Sequence, residues 1–180
     1  IEQVVHETAV LNLILVVGAP LQIDSRLFNC GIVLYRGRIL GVAVKSYLPN
    51  YREFYEGRQF SPAEESLANT IGLCGQERIP FGADLIFEVT NLRHFRFFIE
   101  MCEDVWVPIP PSCFAALAGA TIIGNLSASN VTIGKSEYRQ GLTANQSARC
   151  IAAYLYAAAG PGESTTDLAW DGHAMIYENG

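Results

Sequence analysis

FRFFIEMCEDVWVPIPP, residues 95–111, is the stretch whose reading decides the fold. Its first half is apolar and β-prone, as in a buried strand, and then it climbs to a cysteine and breaks into acids and three prolines. Cys102, Glu103 and Asp104 would be costly in a dry core without partners, so the break marks a strand end. Ligands and catalytic groups collect beyond the carboxyl ends of strands in open α/β sheets. The bend imposed by the acids and prolines should expose the Cys102 sulfur and the peptide N–H groups beside it.

Outward from this stretch the chain alternates. Residues 112–120 have small-residue helical character with Ser112 as N-cap, 121–129 read as a strand, 134–150 as a helix, and 152–160 as another buried strand before a polar loop. Strand, helix, strand, helix, strand from 95 to 160 points to a layered α/β fold with right-handed crossovers. Upstream, 84–89 and 95–102 form two strands around a turn at Asn91, and 11–20 is a strand stopped by Gly and Pro. Residues 27–47 are a hairpin turning near Arg36 and Gly37, with Lys45 at its far end. The aromatic, proline-bearing segment 48–65 is a structured loop, not a linker.

Half of the 180 residues are hydrophobic, enough for one domain with a sizeable core. The net charge of −6, with no Lys/Arg cluster, argues against nucleic acid as a partner. No apolar run reaches about 18 residues, so no membrane span is expected. Five cysteines make an odd count without a C-x-x-C pair, which fits a reducing cytoplasmic setting. The three histidines lie far apart and show no metal-ligand spacing. The chain opens without Met and stops at YENG, just after an apolar strand, as a piece cut from something longer would.

A thiol that attacks a carbonyl needs a cation or base beside it. Cys30, Cys113 and Cys150 sit in apolar or helical patterns and read as small hydrophobes. His94 lies eight residues before Cys102, about 26 Å along an extended strand, so it cannot reach the sulfur from there. His6 and His173 lie in unmarked termini. Lys45 ends the apolar strand VAVK. Either it is a strand-end lysine snorkelling to water, or it is an ammonium held against the sulfur, favouring thiolate and donating to a tetrahedral oxyanion. The second alternative predicts that Lys45 and Cys102 approach one another at one rim of the sheets.

Four stretches carry a family resemblance: VKSYLPNYREFYEGRQFSP (44–62), IEMCEDVWVPIPP (99–111), NLSASNVTIGK (125–135) and AAAGPGESTTDLAWDG (157–172). Together they resemble the glutaminase domain of glutamine-dependent NAD synthetases, a branch of the nitrilase (carbon-nitrogen hydrolase) superfamily. Matching motifs run from VVGAPL to YENG. The resemblance implies a four-layer α-β-β-α sandwich, incomplete in this chain, with 1–180 a single partial glutaminase domain and the ATP-dependent synthetase domain absent. It also implies a Glu-Lys-Cys triad with Cys102 as nucleophile, Lys45 as the triad lysine, and the peptide N–H after Cys102 in the oxyanion hole. Tyr51, Glu56, Glu103, Trp106, Ser129 and Lys135 match positions lining the glutamine pocket. Acids suit the substrate's α-amino group, a cation suits its α-carboxylate, and Trp106 could cover the aliphatic stem.

By the same resemblance the parent hydrolyses glutamine through a cysteine thioester and supplies ammonia for ATP-dependent amidation of deamido-NAD. It would need no cofactor in this domain and would use ATP and Mg only in the synthetase domain. Independently of the resemblance, a truncated sandwich with exposed apolar edges should associate, so a homo-oligomer is expected. One feature departs from the family. Its general-base glutamate lies in a Pro-Glu-Leu-like segment at the end of the first strand, and nothing upstream of Lys45 matches it, because Glu2 and Glu7 fall in a helical stretch before a strand. Truncation at both ends is the simplest reason. Loss of that group removes about 10²- to 10⁴-fold of general acid-base catalysis, so the chain alone should be nearly inert. The alternatives are a stand-alone nitrilase-family amidase and a catalytically dead nitrilase-like scaffold.

Overall fold

A computed structural model describes residues 1–163 and 168–180. The backbone divides into two compact units, Ile1–Leu85 and Ile86–Gly180.

In the first unit, α1 (Glu2–Glu7) precedes β1 (Ile14–Ile23), β2 (Arg26–Tyr35), β3 (Arg38–Val44), β4 (Thr70–Leu73) and β5 (Gln76–Gly82). These strands form one sheet in the order β1-β2-β3-β5-β4. The expected hairpin is present, and its turn at Arg36 and Gly37 has φ of 46° and 72°, as a two-residue turn matched to strand twist requires. A Cβ at Gly37 would lie 2.8 Å from that of Ala9, so the turn is also packed too closely for a side chain. Phe28, Cys30, Ile32, Leu34, Val42 and Val44 form the core with Ile71, Ile79 and Phe81, and Val4 and Val5 of α1 pack on it. Burying a Leu-, Ile- or Phe-sized side chain is worth about 1.5–3 kcal/mol, so this face, and not the intrinsic helicity of six-residue α1, holds the unit together.

Two features here depart from expectation. First, β1 continues through Pro20 to Ile23, which is tolerated because β1 is an edge strand and its proline N lacks only an outward donor. Second, β4 and β5 form an unexpected hairpin around Cys74 and Gly75, with φ of 50° and 74°. Glu77, Arg78 and Pro80 dilute its apolar signal, yet only Ile79 and Phe81 of β5 are buried. The loop at 48–65 is ordered, as expected, by two 3-10 turns, Glu56–Arg58 and Ala63–Glu65. Backbone bonds from Ser61 N–H to Leu27 O (2.8 Å) and Ala63 N–H to Lys45 O (3.0 Å) tie it to the sheet.

The second unit contains β6 (Ile86–Glu88), β7 (Arg96–Met101), α2 (Pro111–Leu117), β8 (Ile122–Ser127), α3 (Lys135–Cys150), β9 (Ala153–Ala158) and β10 (Ala174–Glu178). The sheet order is β10-β9-β8-β7-β6, with β7, β8 and β9 parallel and both edge strands antiparallel. The alternation expected over 95–160 is therefore observed, and parallel neighbours follow from helical connections. Phe98, Ile123, Tyr154 and Tyr156 are buried with Val105, Ala115 and Ala152, and Leu142 and Cys150 of α3 pack against them. One expectation is corrected. Ser112 is not the N-cap of α2, because Pro110 holds that place and Pro111 fills the first turn, where a missing N–H is no loss. Ser112 is buried and serves a different network. Within the motif at 157–172, residues 164–167 lie outside the described residues.

Candidate active site

Cys102 sits where β7 ends and begins a 3-10 turn, Cys102–Val105. Its φ is 45°, a left-handed conformation that costs a side-chain-bearing residue of order 1–3 kcal/mol unless its surroundings hold it. Two hydrogen bonds do so. The Met101 N–H donates to Asp104 Oδ2 at 2.9 Å, and the Cys102 N–H donates to Asn125 Oδ1 at 3.2 Å. The sharp bend expected from the break in the sequence is thus built by Asp104 and by the neighbouring strand, and the cysteine is left half-buried at the strand end.

Asn125 belongs to a chain of buried polar groups beneath the bend. Ser127 Oγ donates to Asn125 Oδ1 (2.8 Å), Asn125 Nδ2 donates to the Tyr154 hydroxyl (3.1 Å), and Tyr154 donates to Glu100 Oε1 (2.5 Å). Glu100 Oε2 accepts the Ser112 N–H at 3.0 Å, and Ser112 Oγ accepts from Gln146 of α3 at 2.9 Å. Glu100 is 1% exposed. Burial, reinforced by the charge of Asp104, pushes its carboxyl up to about 7 against the bonds from Tyr154 and Ser112. Burial likewise raises Tyr154 well above the ordinary tyrosine range, with the Glu100 charge adding to it.

The residues expected around a substrate converge here in part. Trp106, which closes the turn, stacks on Tyr138 of α3 at 5.3 Å, and Lys135 Nζ lies 5.9 Å from the Trp106 ring centre. Lys135 also donates to Asn130 Oδ1, so the start of α3 and the loop after β8 are tied together. In that loop Ser129 is buried, and its carbonyl accepts from the buried Arg139, whose guanidinium is paired with Asp171. Glu103 directly follows the cysteine and is half-buried. Tyr156, two residues beyond Tyr154 on the same face of β9, has its hydroxyl pKa raised by burial and, to a smaller degree, by the nearby Cys102 sulfur.

Lys45 lies in the first unit, one residue past β3, with its side chain 3% exposed. Its ammonium is ion-paired with Glu56 Oε2, while Glu56 Oε1 accepts from Asn29 Nδ2 at 2.6 Å. The snorkelling alternative is therefore corrected: the ammonium is turned inward and needs its carboxylate partner. Glu56, expected to line the substrate pocket, is the residue that neutralises Lys45. Tyr51 stands on the same loop, about half exposed, against Phe54. Glu2 and Glu7 are exposed on α1. Among the described residues no three His, Cys, Asp or Glu side chains gather as a metal site.

Asn29, Glu100, Asn125, Tyr154 and Tyr156 were not singled out from the sequence. The available signal was an ionisable or amide residue inside an otherwise apolar strand, as in FRFFIEMC and TIIGNLS.

No protein-family model matches the chain. Its sequence is 54% identical over 177 residues to a glutamine-dependent NAD(+) synthetase of Mycobacterium leprae and 55% identical over 176 residues to one of Mycobacterium tuberculosis, in each case across 98% of this chain. The chain is homologous to one segment of the glutamine-dependent NAD(+) synthetases. It spans about a quarter (26%) of the length of these curated relatives. A crystal structure of a glutamine-dependent NAD(+) synthetase from Cytophaga hutchinsonii superposes with a TM-score of 0.77 at 28% identity, covering 93% of this chain and 26% of that one. An amidase of the nitrilase superfamily from Nesterenkonia AN1 superposes with a TM-score of 0.73 at 15% identity, covering 99% of this chain and 58% of that one. That likeness shows the nitrilase fold, in agreement with the fold expected from the motifs.

Proposed function

We propose that this segment is the glutamine-hydrolysing part of a glutamine-dependent NAD(+) synthetase, with Cys102 as its nucleophile. The observation that carries the proposal is the half-buried cysteine held at positive φ on a parallel-strand end, in a chain so similar to these synthetases. The Cys102 thiolate attacks the side-chain carboxamide carbon of glutamine. The resulting oxyanion is met by the peptide N–H of Glu103, and the family resemblance assigns Lys45 the role of triad lysine. Collapse of the intermediate breaks the C–N bond and, once the nitrogen takes up a proton, releases ammonia and leaves a γ-glutamyl thioester, which water hydrolyses to glutamate.

In the second unit Trp106 covers the substrate's stem, with Glu103, Ser129 and Lys135 around its α-amino and α-carboxylate groups; the resemblance gives Tyr51 and Glu56 a substrate-binding role as well, and in the first unit Glu56 is ion-paired with Lys45. The general base that the resemblance implies has no motif match in these 180 residues. The released ammonia then serves the amidation of deamido-NAD by the ATP- and Mg-dependent portion known from the family resemblance, in a cytoplasmic homo-oligomer. The second reading, a catalytically silent scaffold, gains only if the complete gene also has no such glutamate.

One experiment separates the two. The complete gene product is incubated with glutamine and hydroxylamine, which intercepts a thioester as γ-glutamyl hydroxamate. The proposal predicts hydroxamate that disappears in Cys102→Ala. No hydroxamate from the unsubstituted protein would leave the scaffold.

A further inference from the structure

The polar chain beneath Cys102 has donors fixed at both ends. At one end stands the Cys102 peptide N–H, which can only donate, so the oxygen of Asn125 must face it. Nδ2 of Asn125 then points at Tyr154, whose hydroxyl must pass its own hydrogen on to Glu100. At the other end the Ser112 N–H, again only a donor, occupies the second carboxylate oxygen. Every direction along the chain is thereby determined, and in this arrangement Glu100 accepts on both oxygens.

We propose that Glu100 is a positioning residue for Cys102, acting through Tyr154 and Asn125, and that its protonation reverses this hydrogen-bond chain and releases the Cys102 peptide. A proton on Oε1 is donated to the Tyr154 oxygen, which then receives two donors while its own hydrogen has no acceptor. Turning the Asn125 amide over repairs this fault: Oδ1 now accepts from Tyr154, and Nδ2 faces Ser127 Oγ, which can accept. The displaced conflict lands on the Cys102 N–H, which faces an NH2 group and loses its bond. One of the two hydrogen bonds that hold the positive φ at Cys102 is then gone, and only that from the Met101 N–H to Asp104 remains.

The surroundings of Glu100 favour this switch. Among the described residues the groups that act on it are Asp104 from the turn, which adds like charge, Tyr154 from β9, Ser112 from α2, and Cys150 from α3, itself pushed up to about 11 by burial. Burial brings the Glu100 carboxyl up to about 7, so both forms occur under ordinary conditions. The consequence for activity rests on Cys102 being the nucleophile proposed above. The chain reversal itself does not.

The test is backbone hydrogen exchange and a TROSY spectrum of the complete gene product labelled with 15N-cysteine, followed from pH 5.5 to 8.5. The Cys102 amide is expected to titrate with a midpoint near that of Glu100, and its protection factor, corrected for intrinsic exchange, to fall about tenfold on the acid side, as loss of one hydrogen bond implies. Glu100→Gln presents an NH2 where the carboxylate accepted, mimics the protonated form, and should hold the amide in its acid-side state at every pH. Tyr154→Phe should abolish the titration. A Cys102 amide that does not shift over this range, or that titrates equally in Glu100→Gln, overturns the proposal. A proton delivered to Ser112 instead gives the first of these results. Because the unsubstituted protein supplies the decisive titration, a variant that fails to fold does not weaken the test. Thioester trapping reports on the nucleophile independently.

Discussion

Removing the Glu56 carboxylate should cost the first unit more than removing Lys45 and Glu56 together. With side chains 3% and 15% exposed, Lys45 and Glu56 form a largely desolvated pair, and Asn29 holds the other carboxylate oxygen. Breaking one side of a buried pair costs about 3–5 kcal/mol, because a charge is left stranded. The partial exposure of Glu56 lets water in, which puts Glu56→Ala near the lower end, about 3 kcal/mol. Replacing both partners by apolar side chains is often close to neutral, so Lys45→Met/Glu56→Leu should recover most of that loss. Hydrogen-exchange mass spectrometry on peptides spanning 38–65 reads the effect locally. There the Lys45 N–H donates to Asn29 O and the Ala63 N–H to Lys45 O, both at 3.0 Å. A loss of about 3 kcal/mol appears as roughly a 150-fold drop in protection. If Glu56→Ala stays within about threefold of the parent protein, or if the two single losses simply add, the pair is not coupled and this reasoning is wrong.

Glu100 should make the second unit more stable in mild acid than in mild base. Its carboxyl is raised from 4.5 to about 7, so its contribution is complete below the lower value and is lost as pH rises through the upper one, a span of about 3 kcal/mol. Glu100→Gln should flatten the dependence of urea midpoint on pH between 5 and 8. Asp171 has the opposite sign. The hydrogen bonds of Arg139 hold its carboxyl below the usual aspartate value, so its stabilisation is full above that value and fades as pH falls through the lowered one. Asp171→Ala, which strands the buried Arg139 guanidinium, should cost about 3 kcal/mol in an unfolding titration at pH 7. Cys30, pushed up to about 12 by burial in the core, should react with an aromatic disulfide reagent at pH 8 only after denaturant is added.

The sequence was most informative where burial and period coincide. The hairpin around Arg36 and Gly37 and the β7-α2-β8-α3-β9 alternation are visible because apolar runs end in turn or cap residues. The β4-β5 hairpin was hidden because one face of a short strand carries Glu77, Arg78 and Pro80, and only two residues mark the other. Ser112 looked like a cap because serine usually caps, whereas here two prolines start the helix and free the serine to meet Glu100. Cys102 and Lys45 were legible as reactive types ending apolar strands. Their supports were not, since Asn29, Asn125 and Tyr154 act through pairings across strands that no local pattern encodes.

The most direct measurement is competitive labelling of the five thiols in the complete gene product by a diazoketone analogue of glutamine, quantified by peptide mapping. Cys102 is predicted to react first and to be protected by glutamine. In Lys45→Met its rate should fall about 10²-fold, while Cys113 and Cys150 keep their pace and so report an intact second unit, and the core Cys30 stays unreactive and so reports an intact first unit. Equal labelling of all five thiols, or a Cys102 rate indifferent to Lys45, would contradict the assignment of this cysteine as a lysine-assisted nucleophile.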